Sequence, residues 1–208
     1  MAMAVPFEAF LQRVEARLDP VHLAKMPAAE EGLTHAAVTL LLRPAGGAGG
    51  EGTEDSAEIL FIKRAERAGD PWSGHLAFPG GRAETEDATL LDIAMRETAE
   101  EVGIDARRGG RLLGRLPTIR PMSTRIPSIT VTPFVALAPQ GAIPRLQATE
   151  VEEAFWMPLA ALRRTGRSAV VRWEDKDGVR ELPAFPSSKG PIWGITERIL
   201  SQFLELAE

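Results

Sequence analysis

Apolar residues repeat at two different periods along this chain, and the switches between them outline a fold. In FEAFLQRVEARL (7–18), Phe7, Phe10, Leu11, Val14 and Leu18 recur at helical spacing and predict an amphipathic helix. THAAVTLLLR (34–43) and EILFIKR (58–64) are apolar runs of strand length. The Gly- and acid-rich AGGAGGEGTEDS (45–56) between them reads as a surface loop, so the two runs are expected to pair as a hairpin. HLAFPGG (75–81) is a short strand that ends in a turn. The helical period returns over 88–102, with Asp87 as the candidate N-cap and Gly103 as the terminator. Strands are expected again at 111–119, 128–138 and 152–158, followed by a hairpin of 168–175 with 179–185 across DKDG. WMPLAALRRTG offers a short helix, and GPIWGITERILSQFLELA closes the chain with a longer amphipathic one. No internal repeat or linker interrupts the series, which reads as one mixed α/β domain.

The helix over 88–102 carries an arrangement that needs a reason. At about 100° per residue, Glu101 falls about 40° to one side of Glu97 and Glu100 about 60° to the other, so three acids share one stripe. Leu91, Ala94, Met95, Thr98 and Val102 form the neighbouring stripe and are expected to pack on a sheet. The acids occupy the last turns, where the helix dipole disfavours negative charge, and Arg96 is the one cation nearby in sequence. Acids crowded in this way repel unless a cation sits among them. Oxygen ligands of this kind suit Mg²⁺ or Mn²⁺, which keep some waters and share themselves with a substrate phosphate.

Composition narrows the partners. Among 208 residues, 24 Lys and Arg stand against 29 Asp and Glu, a formal net charge of −5, so a role gripping a nucleic-acid backbone is not expected. The absence of cysteine removes disulfides, thiolate nucleophiles and zinc–thiolate sites. MAMAVPFEAFLQRVEARL lacks a basic stretch followed by an apolar run, and no later segment reaches membrane-spanning length. The expectation is a cytoplasmic protein without a membrane partner.

Gly80-Gly81 followed by Arg96-Glu97-Thr98-Ala99-Glu100-Glu101-Val102-Gly103-Ile104 resembles the Nudix box. Its second half fits closely, with Thr98 where an aliphatic residue is usual. Its first half is one residue longer than the pattern, and the early glutamate is represented by Glu86 or Asp87. The resemblance implies an α/β/α sandwich around a mixed β-sheet over 34–208, with 1–33 as an N-terminal helical extension. It also implies hydrolysis of a nucleoside diphosphate linked to another group, by an enzyme using one to three divalent ions. Glu97 and Glu101 are then the implied ligands, and Glu100 a ligand or an acid that orients water. Arg96 would hold a glutamate in place, and Gly80 and Gly81 would let the backbone approach metal and phosphates. Homodimers are common in the family, though the sequence shows no interface.

The flanking segments are similar to the coenzyme A pyrophosphatase branch. Arg64, Gly74 and Phe78-Pro79-Gly80-Gly81 match its signature before the box, and the later segments 116–137, 150–162 and Ile192-Trp193-Gly194 match in order. Asp70 stands where the signature has a second arginine, and the interval from Arg64 is one residue longer. Coenzyme A or an acyl-CoA is therefore one implied substrate, beside ADP-ribose, dinucleoside polyphosphates and nucleotide sugars. A non-catalytic Nudix domain that binds a nucleotide or a protein is the rival from another class, and three intact carboxylates argue against it. Arg64, Arg120 and Arg125 are candidate phosphate contacts, with surface solvation the plain alternative. Trp72 is a candidate stacking partner for a base or a packing plug, His75 a general base by residue type or a structural histidine, and Trp193 a core residue. Glu150 precedes a strand near where many Nudix enzymes carry a loop glutamate that activates water.

Overall fold

A computed structural model describes all residues except 1–3, 24, 28–29, 31, 47–51, 68, 70–71, 121–127 and 176–177. In chain order the elements are α1 (Phe7–Glu15), β1 (Thr34–Pro44), β2 (Ala57–Arg64), β3 (Leu76–Ala77), β4 (Gly80–Arg82), α2 (Leu90–Val102), β5 (Arg111–Arg115) and β6 (Ile129–Leu137). They continue with β7 (Val151–Pro158), α3 (Leu159–Thr165), β8 (Ala169–Asp175), β9 (Gly178–Phe185), β10 (Ile192–Trp193) and α4 (Gly194–Leu206).

The larger sheet is mixed and centres on β1, which runs parallel to β6 from Thr34↔Ile129 to Leu42↔Leu137. Strand β5 lies antiparallel beyond β6. The other edge of β1 is shared: β4 pairs with Ala36–Val38, and β2 with Leu42–Pro44. Strand β2 is flanked in turn by β7 along its length and by β3 at Ile62 and Lys63. Side chains of a strand alternate between faces, and each face of this sheet has its own core. Leu40, Leu42, Ile59, Phe61 and Val135 face α1 and α4 through Phe10, Leu11, Val14, Leu200 and Phe203. Ala37, Leu41, Leu60, Ile62 and Phe134 face α2 through Ile93, Ala94, Met95 and Val102. The result is a sandwich of helices around a mixed sheet, as the sequence led us to expect. Strands β8, β9 and β10 form a separate antiparallel sheet, and β10 runs directly into α4.

Several boundaries differ from the sequence expectation for local reasons. Helix α2 starts at Leu90, and its N-cap is Thr89, whose hydroxyl oxygen accepts the Asp92 N–H at 3.1 Å. Asp87 lies upstream of that cap and is bonded to Arg96 instead. Ala94, Met95, Thr98 and Val102 are buried as expected, Leu91 is only partly buried, and Leu90 and Ile93 join the packing, so the apolar stripe is wider than the expected one. HLAFPGG divides into β3 and β4, with Pro79 at the break. The run 111–119 ends as strand at Arg115 ahead of Pro117, which has no N–H to give, although Ile119 still bridges Val131. Within the expected DKDG turn, residues 176–177 lie outside the described set, and the hairpin partners nearest them are Asp175 and Gly178.

Candidate metal centre

The local sequence locks the Gly-Gly turn and helix α2 to the same strand. Thr39 of β1 donates its backbone N–H to the Pro79 carbonyl at 2.8 Å. Its buried hydroxyl lies 3.1 Å from the Ala94 carbonyl and 2.8 Å from the Thr98 hydroxyl, which itself reaches the Ala94 carbonyl at 2.6 Å. Thr98 thus has a polar partner on β1 where an aliphatic side chain would have none. Gly80 pairs with Val38 at φ 154°, and a Cβ there would collide with the Ala37 carbonyl and with Val38. That approach brings the Gly80 N–H to the Glu101 carboxylate, which accepts it at 2.9 Å. A Cβ on Gly81 would strike the carboxylate of Glu97. Gly80 is therefore set by close approach of backbone, while at Gly81 the obstacle is the end of the Glu97 side chain, which Arg96 holds.

Carboxylate oxygens of Glu97, Glu101 and Glu150 come within 4.8 Å of one another. Glu101 is 2% exposed, and burial pushes its carboxyl up to about 7. The Gly80 N–H and Arg64 act against that rise, and Glu97 and Glu150 add to it. Glu97 is raised as well, first by burial, then by Glu100 and Glu150, with Arg96 opposing. Two acids of raised proton affinity at the C-terminal end of a helix, joined by a third carboxylate and offering only oxygen donors, have the chemistry of a hard divalent cation site. Mg²⁺ or Mn²⁺ fits that donor set.

Arg96 is the hub behind the cluster. Its guanidinium bonds the Asp87 carboxylate at 3.0 and 3.3 Å, the Arg82 carbonyl at 3.0 Å, and Glu97 and Glu100 each at 3.1 Å. These partners raise its proton affinity further, so it stays charged. Burial pushes the Asp87 carboxyl up, yet the bonds from Arg96 and from the Glu84 N–H hold it below the usual value. Glu100, whose side chain is 50% exposed, turns to Arg96, and Glu86 is exposed at the surface. The helical stripe read from the sequence therefore spans a gradient from buried Glu101 to solvated Glu100, and the third member of the tight cluster comes from elsewhere in the chain.

That member, Glu150, sits on a turn registered to α2. The Gln147 N–H donates to the Glu101 carbonyl at 3.1 Å, and the Glu150 N–H to the Gln147 carbonyl at 2.8 Å. From the other side the Ala65 N–H donates to the Glu150 carbonyl at 2.9 Å. Arg67 bonds the Thr149 carbonyl and approaches Glu150 Oε1 at 3.3 Å. Arg67 belongs to no motif in the sequence, and its one signal there is its place three residues after Arg64, ahead of FPGG. Arg64 ends β2 opposite Val151, close enough to Glu101 to oppose its raised pKa.

The remaining candidates are more scattered. Trp72 is partly buried, and its carbonyl accepts the His75 N–H at 3.2 Å. The His75 ring lies 4.6 Å from Trp193, which lies 5.2 Å from Trp173, so Trp193 joins β3 to the smaller sheet. Arg120 is exposed, and its carbonyl accepts from Arg198 at 2.8 Å. Arg125 lies outside the described residues. Among the described residues, no helix is long and apolar enough to cross a membrane.

A family model described as the NUDIX domain matches residues 34–176. A Schizosaccharomyces pombe protein named a probable nudix hydrolase is 30% identical over 153 residues, covering 73% of this chain and 51% of that protein. The human mitochondrial coenzyme A diphosphatase NUDT8 is 31% identical over 154 residues, covering 71% of this chain and 62% of its own. The chain thus spans about half to three-fifths of the length of these relatives. A MutT/nudix family protein from Enterococcus faecalis superposes with a TM-score of 0.52 at 17% identity, covering 89% of this chain and 66% of that one, which shows a shared fold.

Proposed function

The chain belongs to the Nudix family, and from that premise we propose that it hydrolyses the pyrophosphate bond of a nucleoside diphosphate derivative with the help of Mg²⁺ or Mn²⁺. The proposed substrate is coenzyme A or an acyl-CoA, giving 3′,5′-ADP and 4′-phosphopantetheine or its acyl form. The proposed compartment is the cytoplasm. The observation that carries the reaction class is the meeting of Glu97, Glu101 and Glu150 beside the Gly-Gly turn. The substrate choice draws on the signature around Arg64 and FPGG and on the likeness to a coenzyme A diphosphatase.

Glu97 and Glu101 would hold the ion, with Glu150 completing the set. When bound, such an ion neutralises phosphate charge and makes a water nucleophilic at neutral pH. The chain's own residues do the rest. Glu101 would hold the ion in its deprotonated form, and the Gly80 N–H keeps its carboxylate aimed. Arg96 holds Glu97 by a charge-assisted bond and absorbs the charge of Asp87 and Glu100. Gly81 leaves backbone open where phosphate oxygens approach. Attack of water on one phosphorus forms a P–O bond and breaks the bridging P–O bond; the bridging oxygen leaves on the other phosphate, and a carboxylate of the cluster takes the water's proton. Arg64, Arg120 and Arg125 are the proposed phosphate contacts, and Trp72 the proposed partner for the base.

A substrate panel at saturating Mg²⁺, read by chromatographic separation of the nucleotide product from the intact substrate, tests this. Coenzyme A should show a higher kcat/KM than dephospho-coenzyme A, ADP-ribose or diadenosine polyphosphates. Equal rates with and without the 3′-phosphate would contradict the substrate, a preference for ADP-ribose would move it to another branch, and no turnover on any arm would remove the enzyme reading.

A further inference from the structure

Each carboxylate of the cluster has a hold of its own, and the three holds differ in kind. Glu101 is fixed by the Gly80 N–H and Glu97 by Arg96, both from a helix packed on the sheet. Glu150 stands on a turn instead, with 37% of its side chain exposed. We propose that Arg67 is the positioning residue that aims Glu150 at Glu97 and Glu101. This rests on the reading of Glu150 as part of the working site.

The contacts of Arg67 fit the role. Its Nε and Nη2 both reach the Thr149 carbonyl, at 3.0 and 2.5 Å, which fixes the backbone one residue before Glu150. The same Nη2 lies 3.3 Å from Glu150 Oε1, so one planar group holds the turn and the carboxylate together. Arg67 is anchored in turn where its N–H donates to Ser73 Oγ at 2.8 Å. The Ala65 N–H bond to the Glu150 carbonyl ties the start of that loop to the same turn. The loop before the Gly-Gly turn and the turn before β7 are thus clamped to each other, and the guanidinium offsets part of the charge that the third acid adds to the first two. A lysine offers no planar fork and cannot span both acceptors in this way.

The test is a double-mutant cycle of Arg67→Ala and Glu150→Gln, with Arg67→Lys and Arg67→Gln alongside. It reads kcat and KM at saturating Mg²⁺, melting temperature without metal, and Mn²⁺ affinity by calorimetry without substrate. Arg67→Ala should lower kcat and weaken Mn²⁺ binding by about tenfold each, with KM for the substrate nearly unchanged. In the Glu150→Gln background the same change should add less than about twofold, because its effect runs through Glu150. Arg67→Lys should recover only part of the loss, and Arg67→Gln should match Arg67→Ala at an unchanged melting temperature. Additive effects, a rise in KM alone, or full recovery with lysine would overturn the positioning role while leaving Glu150 in place. A Glu150→Gln protein with wild-type turnover and Mn²⁺ affinity would remove the reading on which the proposal stands.

Discussion

The two walls of the carboxylate cluster are built by different means. On the α2 wall, Glu97 and Glu101 project from a helix whose buried face is locked to β1 through Thr39, Thr98 and the Ala94 carbonyl. On the loop wall, Glu150 is placed by a short turn, two backbone bonds and one arginine at the surface. The first wall is rigid because its geometry is shared with the core, so misplacing an acid there disturbs packing as well. The second is held by polar contacts that water competes for, and its position answers to single residues. On the proposed reading, a site that holds an ion and releases a product would gain a fixed half and an adjustable half from this division.

Removing the charge on the fixed wall should have the largest effect. Glu97→Gln and Glu101→Gln should each lower turnover by at least about a hundredfold at saturating Mg²⁺ while the far-ultraviolet circular dichroism is kept. Turnover within a few-fold of wild type in either variant would separate the cluster from the chemistry. Crowding the same wall should come next. Gly81→Ala places a methyl against the Glu97 carboxylate, so turnover should fall by about tenfold with a small change in melting temperature. An alanine variant with unchanged kcat would show that Glu97 has room the geometry denies it.

The smallest effect sharpens the contrast through pH. Burial raises the folded-state pKa of Glu101 from 4.5 to about 7, so the folded protein holds that proton more tightly than the unfolded chain. The stability this contributes is full below about 4.5 and is lost as pH rises through about 7. Metal-free wild type should therefore lose roughly 5 °C of melting temperature relative to Glu101→Gln across that range. Excess Mg²⁺ should reverse the trend, because the ion binds the deprotonated site. A melting-temperature difference that stays flat with pH would show that burial does not raise the Glu101 pKa.

How much of this was legible in the sequence follows the same division. The α2 wall could be read because helix period, a Gly-Gly turn and a C-terminal glycine leave the acids little freedom in where they point. What the wheel missed there was burial: Glu101 faces Gly80 and β1, while Glu100, one residue away, faces Arg96 and water. Asp87 read as a helix cap from its position, and the guanidinium of Arg96 claimed it. The loop wall was harder, because Glu150 reaches the cluster through pairing of β7 with β2, a long-range register that no local pattern encodes. Arg67 carried no periodic signal at all, and its role depends on where a turn more than eighty residues later in the chain is folded.

The most direct test of the account is Mn²⁺ binding measured by calorimetry on wild type and on the Glu97→Gln/Glu101→Gln protein at the same pH and without substrate. Wild type should bind with measurable affinity, and the double variant should bind at least about a hundredfold more weakly at an intact fold. Equal affinity in the two proteins would place the ion somewhere other than the cluster beside the Gly-Gly turn and contradict the account.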